Sequence, residues 1–289
     1  MIANRKKIAL EALKSAIRLR QDKKVHIEDP IPIYDFVEDL GIEVRFVDIP
    51  SMEGVFLKKF PPEILISSHR PPGRQVYNCA HELGHYLFNH GSHVDEVKAS
   101  FHKEKVFSPE EFLADTFAAF LLMPKTTVNN GFLRRGWKPE TCTAQTTFKI
   151  ACWLGVGYST LLNHMQISLN LISKEHAERL LKISLKQIRL ECIGKTIDGN
   201  LIPVDYFWTG RPIDIQVGDM ILLPPSTQYE GKSLTLITSD NRSTLLQGEQ
   251  IGISRVFDNN SPWACFVRVS RKGYVGLSRY RHLEDHEHD

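Results

Sequence analysis

The sequence is poor in cysteine and has no long apolar run. Its five cysteines are odd in number and scattered, and none forms a CxxC pair, so neither a disulfide scaffold nor a cysteine zinc knuckle is expected. No stretch reaches the roughly 18 apolar residues that a transmembrane helix needs. The charged N-terminal region also lacks the apolar core of a secretory signal. We therefore expect a cytoplasmic protein with no membrane partner.

The sequence also has no excess of charge of one sign. It contains 36 Lys and Arg against 34 Asp and Glu, a formal charge of +2, which excludes a polycation that coats nucleic acid. The composition, 42% hydrophobic and 24% charged, is typical of globular proteins. Because 289 residues is about twice the usual length of one domain, two or three domains are expected.

The periodicity of apolar residues divides the chain into three parts. Helical spacing at residues 5–20, 74–89 and 109–123, with short runs at 42–46 and 63–67, predicts a helical domain with a small sheet over residues 1–138. Residues 139–185 are helical again, with a break at 155–157 that outlines a helix-turn-helix. Short runs from 188–193 onward, separated by Gly, Pro, Asn and Asp, predict a β-rich domain over residues 186–289. The predicted fold class is therefore α+β.

Residues 81–85 form the motif HExxH on the second predicted helix. A helix places residues four apart on one face, so His81 and His85 can reach one metal ion while Glu82 lies beside it. Zinc with three protein ligands keeps a fourth position for a water molecule, whose pKa falls to about 7. Glu82 would then act as general base in peptide hydrolysis. The simpler alternative is a chance match on a surface helix.

A third ligand is required, and the sequence offers several. Glu111 and Asp115 are four apart on the third helix, so Glu111 can bind the metal while Asp115 accepts a hydrogen bond from a ligand histidine. Alternatively, Glu111 completes a capping box with Ser108 at the start of this helix. The remaining acidic and histidine candidates nearby are Glu110, His93, Asp95, Glu96 and His102.

The motif pair resembles the ImmA/IrrE family of metallopeptidases. The runs NCAHELGHYL at 78–87 and EFLADTFAAFLLMP at 111–124 are similar to the AHELGH helix and the second helix ending FAAxLLMP of that family. The resemblance implies a zincin-like fold in which Glu111 is the third zinc ligand and Asp115 its supporting acid. Many members carry a second Glu directly before the Ala of this helix, where this chain has Leu113.

The resemblance covers about residues 1–185 and implies further properties. In peptidases of this architecture the strand before the metal helix pairs with extended substrate, so we expect Ile64, Leu65 and Ile66 to form an edge for β-augmentation. The implied substrate is a helix-turn-helix transcriptional repressor, cut in response to a stress, DNA-damage or mobile-element signal. Some relatives carry a GAF-like sensory domain where this chain has residues 186–289, which implies a regulatory role and a small-molecule activator.

Other features have competing interpretations. The would-be recognition helix at 158–164 has no Lys or Arg, which favours a packing role over DNA binding. Cys79 is expected to be a buried structural residue, and His90 to lie at the surface or the edge of the core. Basic residues that alternate with aromatic ones predict binding of single-stranded nucleic acid, although half-exposed strands have the same pattern. These residues are Arg268, Arg271, Lys272, Arg279 and Arg281.

The sequence thus predicts a cytoplasmic zinc endopeptidase with a C-terminal regulatory domain. The main alternative is a DNA-binding or sequestering transcriptional regulator in which the metal is structural. An open fourth coordination position favours the enzyme, and a basic recognition helix would favour the regulator.

Overall fold

The computed structural model describes residues 2–91, 93–96 and 107–283, and confirms a mixed α+β fold. The helices are α1 (Ile2–Asp22), α2 (Ile33–Glu38), α3 (Pro72–Leu87), α4 (Pro109–Leu122), α5 (Lys125–Leu133), α6 (Ala144–Leu154), α7 (Tyr158–Ile167), α8 (Lys174–Leu181) and α9 (Leu185–Ile193). The strands are β1 (Glu43–Val47), β2 (Met52–Leu57), β3 (Glu63–Ser67), β4 (His93–Glu96), β5 (Leu201–Pro203), β6 (Ile213–Gln216), β7 (Met220–Leu223), β8 (Gln228–Glu230), β9 (Leu234–Ser239), β10 (Thr244–Gly248), β11 (Gly252–Phe257), β12 (Ala264–Ser270) and β13 (Gly276–Leu277).

The first sheet has the strand order β13-β1-β3-β2-β4. Strand β3 runs parallel to β1 and antiparallel to β2, so its backbone is hydrogen-bonded on both sides. The prediction that Ile64, Leu65 and Ile66 form a free edge is therefore wrong. Ile64 and Ile66 are fully buried, because a continuous apolar run is typical of an interior strand. The periodicity did not predict β2, the strand that covers this side of β3.

Helix α3 lies on this sheet, α4 packs on α3, and α1 packs on α4. Gly84 of α3 allows a very close approach of α4, since a Cβ atom at this position would lie 3.1 Å from the Cα of Ala114 and 3.2 Å from the Phe117 ring. Phe117 and Leu121 of α4 are fully buried, and each contributes about 1.5–3 kcal/mol by burial. The close contact of α3 and α4 is what brings their polar side chains together.

The helices α5 to α9 form the middle of the chain. Helix α6 begins with a capping box of Thr143 and Thr146, and ends at Gly155 in the left-handed conformation, with φ 77°. A turn at residues 155–157 leads to α7, whose His164 contacts the carbonyl oxygen of Met123 through Nε2 at 3.0 Å. Helix α7 is thus packed against the end of α4, which agrees with the packing role favoured for it, and DNA binding stays the alternative. Within the described residues, no helix has the length and apolar composition needed to cross a bilayer.

The C-terminal part contains two four-stranded sheets, with the orders β5-β7-β10-β9 and β6-β12-β11-β8. The run at 188–193 is a helix rather than a strand, because Ser184 caps α9 through the backbone N–H of Gln187 and Gly194 ends it at φ 70°. Strand β13 leaves these sheets and pairs with β1 of the first sheet. A GAF-like fold stays a prediction, since the structure shows only β-sheet and turns at residues 195–277.

Candidate metal centre

The candidate metal centre is built on the second half of α3. His81 and His85 are four residues apart, so the helix presents both rings on one face, and they are 6% and 0% exposed. Their Nε2 atoms lie 3.0 Å apart. Two buried imidazoles with ring nitrogens this close share one position at which a ligand can be bound.

Glu111 on α4 adds a carboxylate to this position. Its Oε2 lies 3.6 Å from His81 Nε2, and its Oε1 lies 3.5 Å from His85 Nε2. One ligand atom from each of the three side chains lies within 4.8 Å of the other two. Two imidazole nitrogens and one carboxylate oxygen are a donor set that zinc accepts, with a fourth position left open. These residues therefore fit a bound metal ion.

The capping alternative for Glu111 proves compatible with a ligand role. The Ser108 hydroxyl accepts a hydrogen bond from the backbone N–H of Glu111 at 3.3 Å, which satisfies one of the donors at the start of α4. The Glu111 carboxylate meanwhile faces the two histidines. The cap fixes the first turn of the helix, and so fixes the position from which the carboxylate reaches His81 and His85.

Each ligand histidine is held at its other ring nitrogen. His81 Nδ1 lies 3.0 Å from Asp115 Oδ1, and His85 Nδ1 lies 3.0 Å from His90 Nδ1. If each Nδ1 carries the proton, it donates to its partner, and the lone pair of each Nε2 faces the metal position. Such partners fix the tautomer and the orientation of a ligand ring. Asp115 holds the place that the sequence predicted for it.

His90 was not predicted as part of the site. Its spacing of five from His85 is unfavourable within a helix, but α3 ends before it. The backbone N–H of His90 donates to the carbonyl of His85, that of Asn89 donates to Tyr86, and Asn89 has φ 53°. This is a Schellman motif, which turns the chain back over its last helical turn. Asn89 directly after the apolar stripe was the sequence signal for it.

Glu82 faces the sheet rather than α4. Its side chain is 1% exposed, and a Cβ atom at Gly54 of β2 would lie 2.8 Å from Glu82 Oε1. Glycine at this strand position therefore makes room for the carboxylate, as interior glycines in strands often do for a close neighbour. Gly54 was also missed in the sequence, together with its strand. Cys79 is fully buried, as predicted, and burial raises the pKa of its thiol well above the usual value.

The arrangement agrees with the comparison to known protein families. Residues 37–164 match the family model of peptidase family M78, described as the IrrE N-terminal-like domain. The predicted resemblance to the ImmA/IrrE family of metallopeptidases is thereby confirmed for this part of the chain. The match covers less than half of the chain. No curated protein matches the sequence.

Among the alternative third ligands, Glu110 lies on the exposed side of α4. His93, Asp95 and Glu96 lie in β4, within the residues that match the family model. His102 lies outside the described residues. Among the residues that the structure describes, His81, His85 and Glu111 form the group that can hold a metal.

Three of the five basic residues predicted to bind nucleic acid are engaged within the protein. Arg268 pairs with Asp35 at 3.0 Å and with Asp214 at 2.6 Å, and Arg281 is buried and lies 2.9 Å from Asp214. The nucleic-acid prediction is therefore wrong for Arg268 and Arg281, whose charges are compensated by these carboxylates. Arg279 lies 3.4 Å from Glu43. The prediction stays open for Arg271, Lys272 and Arg279, which are exposed.

Proposed function

We propose that this protein is a zinc endopeptidase in which His81, His85 and Glu111 bind the metal. The observation that carries the proposal is the convergence of two buried imidazole nitrogens and one carboxylate from two helices. The second nitrogen of each ring is engaged by Asp115 or His90, and the two Nε2 atoms lie 3.0 Å apart, facing the Glu111 carboxylate. A histidine pair with a glutamate is the donor set of catalytic zinc in several peptidases.

Glu82 is the proposed general base. When bound, zinc supplies a Lewis acid that polarises the peptide carbonyl and activates water. Glu82 accepts a proton from the attacking water and returns it to the leaving amine. Its place on α3 directly after His81 would keep it beside the metal position, and the absence of a side chain at Gly54 leaves room for its carboxylate between α3 and β2.

The protein substrate is proposed to bind along β4. This strand ends the order of the first sheet and pairs with β2, which contacts Glu82 through Gly54. An extended peptide added to the outer side of β4 would gain backbone hydrogen bonds next to the base. By resemblance to the family, the proposed substrate is a helix-turn-helix repressor cut after a stress, DNA-damage or mobile-element signal, in the cytoplasm.

A regulatory role is proposed for residues 186–289, with residues 1–138 as the peptidase domain and 139–185 as a helical connection. Two contacts support a link between the first and last parts. Strand β13 pairs with β1, and Arg268 joins Asp35 of α2 to Asp214 of β6. A change in the C-terminal sheets therefore has a direct contact to the sheet that carries α3.

The test is zinc content together with cleavage of a repressor. Purified protein is expected to contain about one equivalent of zinc, and Glu82→Gln is expected to keep the metal while losing cleavage of a co-expressed helix-turn-helix repressor encoded beside this gene. Glu110→Gln is the matched control, because it removes an exposed glutamate from the neighbouring helix. Less than half an equivalent of zinc, or unchanged cleavage by Glu82→Gln, would contradict the proposal.

A further inference from the structure

A cavity of about 770 Å³ lies between the peptidase helices and the C-terminal sheets. Its wall is formed by α2, the first turn of α3, the turn between α6 and α7, the start of α9, and residues of β5 and β6. Among the described residues that line this cavity, none is His81, His85 or Glu111, so the cavity is separate from the candidate metal centre. The volume falls in the range of about 300–1,000 Å³ typical of small-molecule sites.

The side chains that line this cavity carry more positive than negative charges. Five arginines and three aspartates line it, which leaves a formal excess of two positive charges. Arg268 and Arg281 are matched by Asp35 and Asp214. Burial alone would raise the pKa of Asp214, but these two guanidinium groups outweigh it and hold the pKa well below its usual range. The excess therefore lies with the other three arginines.

Arg74 and Arg189 each have a carboxylate nearby, Arg74 by direct contact with a residue outside the cavity wall and Arg189 through an intervening asparagine. Arg74 pairs with Glu53 at 3.0 Å. Arg189 donates to the Asn200 side chain at 3.0 Å, and the Asn200 amide donates to Asp219 at 3.1 Å. Asn200 thus connects Arg189 to a carboxylate.

Arg211 is the remaining guanidinium, and no carboxylate in the described residues is in ion-pair contact with it. It donates a hydrogen bond to the carbonyl oxygen of Trp153 and lies over the Trp208 ring at 4.3 Å from the centroid. Its Nε is buried without a hydrogen-bond partner. Burial lowers the pKa of Arg211 to about 10. Arg211 is partly buried, and Asp214 acts on its charge only from beyond ion-pair distance. An anion in the cavity would therefore compensate a charge that has no carboxylate in contact with it.

The rest of the wall suits an anion that carries an apolar ring. The first residues of α3, α7 and α9 line the cavity, and the N-terminal ends of helices favour negative charge. Between these polar groups the wall is aromatic and aliphatic. Its apolar side chains include Phe148, Val156, Ile202 and Trp208.

We propose that this cavity binds a small organic anion, a carboxylate or a phosphate ester on an apolar ring, with Arg211 as the residue that recognises the anionic group. The proposal does not depend on the proposed peptidase function, because binding is measured without cleavage. It also differs from the nucleic-acid prediction, since a cavity of this volume fits a small molecule, whereas Arg271 and Lys272 of that prediction do not line it.

The test uses three probes that share one ring. The full chain is titrated calorimetrically at neutral pH with 2-naphthyl phosphate, 2-naphthoate and uncharged 2-naphthol. At least one of the two anions is expected to bind once per chain, at least about tenfold more tightly than 2-naphthol, since a hydrogen-bonded charge contributes this much or more. Preference for either anion supports the proposal and identifies the anionic group. Equal affinity for 2-naphthol, or no binding of either anion, would overturn it.

Variants assign the site. Arg211→Gln is expected to weaken anion binding about tenfold or more and to leave 2-naphthol unchanged, whereas Lys272→Gln, which removes an exposed positive charge outside the cavity, should have no effect. If Arg211→Gln does not fold, Ser159→Trp is the second variant. Ser159 is an exposed residue of the cavity wall, so a tryptophan ring there should fill part of the cavity and weaken anion binding. Anion binding that survives in a folded Arg211→Gln or Ser159→Trp variant contradicts the proposal.

Discussion

The two ends of α3 differ in how their polar groups are matched. Near the C-terminal end, each ring nitrogen of the two ligand histidines lies within 3.6 Å of an acceptor or of the other histidine. At the N-terminal end the helix lines a cavity in which Arg211 donates to the Trp153 carbonyl and has no carboxylate in ion-pair contact among the described residues. One end is therefore organised around a cation, and the other leaves room for an anion.

The difference also involves the two glycines of this helix. Gly84 allows α4 to approach the histidine end, whereas a Cβ atom at Gly73 would lie 2.7 Å from the backbone nitrogen of Gly157 in the turn between α6 and α7. Both positions need a residue without a side chain, but the neighbour is a helix in one case and a turn in the other. Substitutions at the two glycines should therefore separate the two sites.

The largest effect is expected for Gly84→Leu. Leucine favours helix formation over glycine, so any loss comes from the contact with Ala114 and Phe117, where even a Cβ atom is tightly placed. The side chain must push α4 away and move Glu111 from the histidines. We expect zinc affinity to fall more than about a hundredfold, at the upper end of effects of altered ligand support. Competition with a chromophoric chelator measures it, and zinc affinity equal to that of the parent would show that α4 contributes no ligand.

The two supporting residues of the histidines should differ in effect. Asp115 has a side chain 60% exposed, so water can replace it next to His81 in Asp115→Asn. His90 is 9% exposed, and His90→Leu leaves the Nδ1–H of the fully buried His85 without this acceptor. We expect zinc affinity to fall about tenfold in the first variant and about a hundredfold in the second, the range typical of such partners.

The same chelator competition measures both variants. His90→Gln, which keeps an acceptor near His85, should restore part of the affinity, and a merely structural role of His90 would not give this rescue. The comparison fails if Asp115→Asn costs more than His90→Leu, because exposure would then not decide how replaceable the partner is.

The sequence predicted the elements whose signal is local. His81, Glu82 and His85 follow from one helical spacing, and Glu111 and Asp115 from another, with a Ser-Pro start that the structure confirms. His90 could not be placed by spacing because its position depends on the turn at Asn89. Ile64–Ile66 was misjudged because an interior strand is recognised only together with its neighbours, and β2 was not predicted. The cavity depends on contacts between residues more than 200 positions apart, such as Asp35 and Arg268, which no local pattern reveals.

A smaller effect is expected at the other end of α3. Gly73→Ala places a methyl group against the backbone of residues 156–157, and the turn must shift because backbone atoms cannot rotate away. We expect the free energy of unfolding to fall by about 1–3 kcal/mol, as for overpacked contacts, with zinc affinity unchanged. Urea unfolding and chelator competition on the same preparation measure the two quantities, and a parallel loss of zinc would show that the two ends of α3 are not separable.

The smallest effect concerns His164, which joins the two regions through its contact from α7 to Met123 after α4. Burial lowers the pKa of His164 from about 6.5 to about 4. Between these values the unfolded chain binds the proton more readily than the folded protein, so stability is lost as the pH falls below about 6.5. From pH 7 to pH 5.5 the parent should lose about 1 kcal/mol more than His164→Gln, which retains a donor for the Met123 carbonyl but does not titrate. Urea unfolding of the parent and of His164→Gln at pH 7 and pH 5.5 measures this difference. If both proteins lose the same free energy of unfolding, the imidazole is protonated without cost and α7 is not firmly packed on α4.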